Sequence, residues 1–231
     1  MSKTADTQPS QETEARGTSA PRGRPPRRQR TVRGANEGPK RERILDTAAR
    51  LFHERGYAKT TLDQVAEEMG FSKALIYANF RSKTELLVAI CEMGIAEVHK
   101  AVKGALDLGL DTRTTLALVV ERYVTTVLKY QRYIAVHTRE DKALPAEDAY
   151  RVNEARRAFF HMLAAFLERG RDEGTLSTSD PLLSALELGG SVTWMAFWFV
   201  EGGRLEPHEI AAHVTRSTLM MLGAAERPDG T

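Results

Sequence analysis

The sequence predicts an all-α protein: an N-terminal three-helix unit followed by a larger helical domain. Three observations predict it. From Pro39 onward apolar residues recur at the helical period almost everywhere. No stretch alternates apolar and polar residues between turn signals, as paired strands do. Glycines and Ser/Thr caps divide residues 56–82 into pieces much shorter than any later helix.

The elements follow in order. Ile44, Ala48, Leu51 and Phe52 form one apolar stripe on a first helix that stops at Gly56. Thr61-x-x-Gln64 is a capping-box pattern opening a second helix, with Leu62, Val65, Ala66 and Met69 on its inner face and Gly70 at its end. Ser72 caps a very short helix over 73–79, and Ser82-x-x-Glu85 is a second capping box that opens a long helix to about residue 106. Five further helices are expected over 112–130, 132–142, 146–172, 181–201 and 207–222. Asp180-Pro181 and Pro207 start the last two, and Gly202-Gly203 ends the first of that pair. The organisation is an Arg-rich arm (1–38), a three-helix domain (39–85), a helical domain (86–224) and a flexible tail (225–231).

Composition narrows the function. The chain has 231 residues, 42% hydrophobic and 28% charged, ordinary for a globular protein. Its longest apolar run, residues 192–200, is too short to span a bilayer. One cysteine, Cys91, excludes a disulfide framework and a cysteine-based zinc cluster, and as a small buried hydrophobe it needs no other role. No Gly-x-Ser-x-Gly elbow, phosphate loop or metal-ligand spacing is present, so no enzyme, metal or cofactor is expected. The first residues lack a charged-then-apolar leader, which sets a cytoplasmic, nucleoid-associated expectation.

The net charge of +2 hides an asymmetry. Residues 1–39 carry +4, residues 40–90 carry +2 and residues 91–231 carry −4. A basic front of this kind meets a polyanion. Within the arm, residues 16–33 hold seven arginines and no acid, which suits either a solubilising tail or an arm that enters the minor groove.

A capped helix, a glycine turn and a second short helix between longer supports make a helix-turn-helix, whose second helix presents its first turn to base edges in the major groove. Residues 43–87 read RILDTAARLFHERGYAKTTLDQVAEEMGFSKALIYANFRSKTELL. With Gly56-Tyr57, Thr60-Thr61, Val65-Ala66, Gly70-x-Ser72, Ile76-Tyr77, Phe80 and Ser82-Lys83 correctly spaced, residues 40–92 resemble the DNA-binding domain of the TetR (tetracycline-repressor-like) family. Ala78 and Asn79 replace aromatic or His-like residues, and Leu75 replaces a polar one. Both departures fall on or near the DNA-facing helix and leave the operator sequence open.

The resemblance implies a DNA-binding set of Thr60, Thr61, Ser72, Lys73, Ala74, Tyr77, Asn79 and Lys83. Thr61 and Ser72 cap their helices where free backbone N–H groups can meet phosphate. Lys73 and Ala74 are placed to read a guanine edge and a thymine methyl. Tyr77 and Lys83 are phosphate contacts, with simple packing the alternative for Tyr77.

The same resemblance implies a C-terminal domain that dimerises and holds a ligand. Ile210, Val214, Met220 and Met221 would supply the dimer's apolar surface, with Gly189-Gly190 and Ser191 permitting close helix approach. Residues 182–203 carry Trp194 and Trp198 on one face, which read either as core or as a pocket wall opposite Phe159, Met162, Phe166 and His137. This segment is similar to regulators of fatty-acid and steroid catabolism that respond to acyl-CoA thioesters. The expected function is therefore a homodimeric repressor on a palindromic double-stranded DNA operator, without a membrane partner. A small hydrophobic effector, an acyl-CoA or steroid-CoA thioester, releases it, with Arg132, Arg139 or Arg156 at the pocket mouth. A regulator responding to drug-like or aromatic compounds and a ligand-independent DNA binder are the alternatives.

Overall fold

In the computed structural model, residues 37–224 are described, so the expected Arg-rich arm and flexible tail lie outside them, apart from the first two helical residues. Nine α-helices occur among the described residues, with no strand. They are α1 (Glu37–Arg55), α2 (Leu62–Met69), α3 (Lys73–Asn79), α4 (Lys83–Leu106), α5 (Thr112–Lys129), α6 (Gln131–Glu140), α7 (Ala146–Asp172), α8 (Pro181–Trp198) and α9 (Pro207–Met221). Among the described residues no helix is long and apolar enough to cross a membrane.

The caps explain the boundaries. Thr61 Oγ1 accepts the Gln64 N–H at 3.2 Å while Gln64 Oε1 accepts the Thr61 N–H at 2.9 Å, a full capping box. Gly70, at φ 63, closes α2 in the left-handed region that a side chain would resist. The second box is only half made. Ser82 accepts from the Glu85 N–H, but the Glu85 carboxylate reaches past Ser82 to the Arg81 N–H at 2.8 Å.

Helix α8 also ends earlier than its glycine pair predicts. Phe199 turns to extended backbone and buries its ring, and Gln131 Nε2 donates to the freed carbonyls of Ala196 (3.2 Å) and Phe199 (2.7 Å). Gly202, at φ 72, serves the turn that follows.

Two apolar clusters form the interior. The C-terminal one packs the second half of α4 with α5, α7, α8 and α9 around Leu116, Val120, Leu163, Leu167 and Val192. The N-terminal one gathers Ile44, Leu51, Val65, Ile76, Phe80, Leu86 and Ile90 from α1 to α4. It does not stop at the three-helix unit, because Tyr133 and Val136 of α6, Leu144 of the turn before α7 and Val152 of α7 complete it. The N-terminal helices are thus packed directly on the C-terminal domain.

Three expectations about α8 and α9 change. Ile210 is buried in the C-terminal core and Val214 packs against it, because this side of α9 faces α5. Met220 and Met221 do stand exposed, at 72% and 52%. Gly189 serves packing within the chain: a β-carbon there would lie 2.2 Å from Phe160 Cε1, so the residue lets α7 approach α8.

Candidate nucleic-acid interface and effector cavity

The first turn of α3 lies open. Ser72 caps it by accepting the Leu75 N–H at 3.3 Å, and Ser72, Lys73 and Ala74 are all exposed while Ile76 is buried beneath them. The helix is fixed from below and presents its N-terminal end outward, the arrangement that major-groove reading requires. Beside it a shallow cleft of about 280 Å³ brings Thr61, Tyr77, Arg81 and Lys83 together. An α2 N-terminus, a phenol and two cations around one depression suit a phosphate. Arg81 was missed by the sequence reading, although an arginine between the reading helix and the next cap is itself a usable signal.

Lys83 does more than face this cleft. Its ammonium donates to the carbonyls of Tyr57 (2.9 Å) and Ala58 (3.2 Å) and lies 4.3 Å from the centre of the Tyr57 ring. It clamps the α1–α2 loop with two N–H groups and keeps a third for an outside acceptor.

Two members of the expected set are placed differently. Thr60 is fully buried, and its hydroxyl donates to the Gly56 carbonyl at 3.0 Å at the end of α1. Its hydroxyl satisfies a helix end from beneath the same cleft, which Thr60 lines together with Thr61. Asn79 is half-buried and donates Nδ2 to the Leu75 carbonyl at 2.8 Å, so its amide is engaged on its own helix.

The second site is a cavity of about 960 Å³ walled by α4, α5, α6, α7 and α8. Its floor is apolar: Val98, Tyr123, Val127, Ile134, Phe159 and Phe160. Tyr123, Phe159 and Phe160 stack edge to face, with centroids 5.1 and 5.3 Å apart. Its polar rim comes from α7, where Asn153, Glu154, Arg156, Arg157 and His161 follow one another along the helix. Arg157 is paired with Glu154 at 3.0 Å, whereas Arg156 donates to the neutral Asn153 amide at 3.0 Å. Arg156 therefore brings a positive charge to the cavity without an acid as its hydrogen-bond partner there.

Of the six residues expected at a pocket, His137 and Phe159 line this cavity. Met162 and Phe166 pack in the C-terminal core instead. Trp194 and Trp198 stand outside it at 63% and 45% exposure, because the face of α8 turned to the cavity is Leu182, Leu186, Gly189, Gly190 and Thr193. Arg156 is the one predicted arginine in the lining; Arg132 and Arg139 are not among the lining residues. Arg139 instead lies 5.3 Å from the centre of the Phe197 ring. The polar spacing along α7 was the overlooked sequence signal.

A helix-turn-helix head joined to a helical bundle with a sizeable cavity defines a DNA-binding regulator. Residues 44–90 match the family model of bacterial regulatory proteins of the tetR family, and residues 109–222 match the tetracyclin repressor-like C-terminal domain. Together these matches span more than half of the chain, which belongs to the TetR family and is a transcriptional regulator, not an enzyme. The HTH-type transcriptional repressor KstR2 of Rhodococcus jostii is 25% identical over 174 residues, 74% of this chain and 85% of that protein. The HTH-type transcriptional activator FasR of Mycolicibacterium smegmatis is 32% identical over 110 residues, 48% of each. A solved tetR-family protein from Rhodococcus RHA1 superposes with a TM-score of 0.74 at 25% identity, covering 80% of this chain and 98% of that one.

The two corrections and the buried histidine generate tests. Thr60→Val removes a buried hydroxyl and leaves the Gly56 carbonyl without its donor, so unfolding should cost about 1–3 kcal/mol less. The salt dependence of DNA binding should not change, as measured by denaturant titration beside anisotropy. Burial, with Arg156 beside it, holds the His137 imidazole below its ordinary value of 6.5, against a smaller opposing effect of Asp141. The unfolded chain then binds the extra proton first, so this contribution is complete above pH 6.5 and is lost as pH falls toward the lowered folded value. Melting temperature should fall between pH 7 and 5.5, and His137→Gln should reduce that slope.

Proposed function

We propose that this regulator represses transcription as a dimer on a palindromic operator and releases it on binding an amphipathic effector, an acyl-CoA or steroid-CoA thioester. The observation that carries this reading is the cavity. At about 960 Å³ it lies at the upper end of the roughly 300–1,000 Å³ usual for small-molecule sites. An aromatic and aliphatic floor suits the acyl or steroid body, and Arg156 at the rim suits an anionic group of the thioester's nucleotide end.

Repression is the role named for KstR2, and it follows physically where a dimer occupies a promoter. Dimerisation is supported by the exposed apolar side chains of the last two helices, Leu183, Trp194, Trp198, Met220 and Met221. Two copies related by a two-fold axis would set their reading helices about 34–36 Å apart, one DNA turn.

Helix α6 provides the route from effector to DNA. One side lines the cavity through Ile134, His137 and Thr138, while Tyr133 donates its hydroxyl to Asp46 of α1 at 2.6 Å and Glu140 accepts the Tyr57 N–H at 3.4 Å. A body wedged against α6 therefore bears on α1 as well as on α4. By linkage, effector and operator must weaken each other by one factor, of the order of 5–150-fold.

Two measurements test this. Long-chain acyl-CoA and the free acid are titrated against operator complex selected from genomic fragments, with anisotropy reporting release and calorimetry reporting binding. Release by the thioester at concentrations where the acid is inactive is expected. Equal release by both removes the nucleotide from the reading, and release only by uncharged aromatic compounds favours the drug-like alternative, which the Tyr123-Phe159-Phe160 wall would suit. Tyr133→Phe should leave effector affinity and operator affinity within about threefold while the coupling between them falls toward unity. Undiminished coupling would remove α6 from the route.

A further inference from the structure

Two donors on the reading helix share one partner. Lys73 Nζ is ion-paired with Asp63 Oδ2, and the Tyr77 hydroxyl is directed at the other oxygen, Oδ1, at 3.4 Å. Lys73 and Tyr77 stand one turn apart on α3, so a single carboxylate from the first turn of α2 ties together the edge that faces DNA. Lys73 has a physical need of it. A cation in a helix's first turn faces the positive end of the macrodipole, and a neighbouring acid offsets this. Asp63, with Glu67 further along α2, holds the ammonium above the ordinary lysine range.

The position of Asp63 also carries a cost. It lies two residues beyond Thr61, the cap expected at a phosphate, and its side chain is 38% exposed. A carboxylate there repels the DNA backbone in every complex, whatever the sequence. Lysine by itself is a flexible point charge that any phosphate satisfies. Tied to Asp63 its range narrows, and part of its charge is already answered before a phosphate arrives. Two of its N–H groups remain, the number that guanine O6 and N7 accept.

We propose that Asp63 is a specificity-setting positioning residue, which holds the Lys73 ammonium toward a base edge and withholds it from the phosphate backbone. Asp63 lowers affinity for DNA in general and raises discrimination between sequences. It acts through Lys73, with Tyr77 as the second tether that keeps the carboxylate in place.

The test uses the full chain, the tightest-binding duplex selected from a random library, and a shuffled duplex of the same composition, each titrated at several salt concentrations. Asp63→Asn should strengthen binding to the shuffled duplex and reduce the selected-to-shuffled affinity ratio about tenfold. The salt slope on the shuffled duplex should steepen by about one unit as Lys73 becomes a phosphate contact. Asp63→Glu, which keeps the charge, should retain the ratio to within about threefold. In a Lys73→Ala background, Asp63→Asn should change the ratio by less than about twofold, since the residue it acts through is gone. If Asp63 merely braces α2 against α3, Asp63→Asn weakens both duplexes equally and lowers the melting temperature with the ratio intact. That outcome, or an undiminished fall of the ratio without Lys73, overturns the proposal.

Discussion

The hydrogen bond from Tyr133 to Asp46, 2.6 Å long, joins the effector domain to the reading head at a largely buried tyrosine. Burial, and then the acceptor carboxylate itself, push the Tyr133 phenol far above its ordinary range, so it remains a neutral donor at any working pH. A donor that cannot ionise and cannot easily find water fixes the distance between α6 and α1. Around it, Tyr133 and Val136 enter the same apolar cluster as Ile44, Leu51 and Phe80. The placement of the head depends on this junction, because it ties α1 to α6 and leaves α4 as only one of the connections between the two domains.

The same junction explains what was legible in the sequence. Caps are local events, so Thr61, Ser72, Gly70 and Asp180 declare their helix ends within three or four residues, and the structure has those ends. The reading helix was legible for the same reason. Gly202-Gly203 misled because α8 is ended by Gln131, about seventy residues away, whose side chain takes the carbonyls of Ala196 and Phe199. The wall of the cavity was half legible. Trp194 and Trp198 share a face of α8, but periodicity says only that they agree with each other, not which way they turn. Packing decided that, since Gly189 admits the Phe160 ring and so commits the glycine side of α8 to α7. Thr60 and Thr61 show the limit at its sharpest. They are adjacent and chemically identical, yet one closes α1 from inside and the other caps α2 in solvent.

The basic front is finely apportioned. Lys73 is paired with Asp63 and Lys83 with two carbonyls, so two of the cations at the candidate DNA face are oriented in the free protein. Oriented cations lose little side-chain freedom on binding, and each commitment removes a share of sequence-independent attraction. A regulator must leave most of a genome alone, and discrimination is a difference of affinities, so restraint on the phosphate term serves function as much as contact with bases does.

The two clusters also differ in what they leave empty. The head is closed: Ile44, Leu51, Val65, Ile76, Phe80, Leu86 and Ile90 have no exposed surface. The C-terminal domain instead keeps an open-sided cavity of about 960 Å³ among α4 to α8. Atoms lining such a space forgo dispersion contacts that a filled core would give. Under the proposed function an apolar body entering it would restore those contacts, so the space that weakens the free domain would be the source of effector affinity. The balance requires that the head does not share this softness. A compliant head would absorb the displacement of α6 within its own packing, and the spacing of two reading helices would not change. On the proposed route a head with a closed core would move as one piece, with the Tyr133–Asp46 bond as the point where that motion is applied.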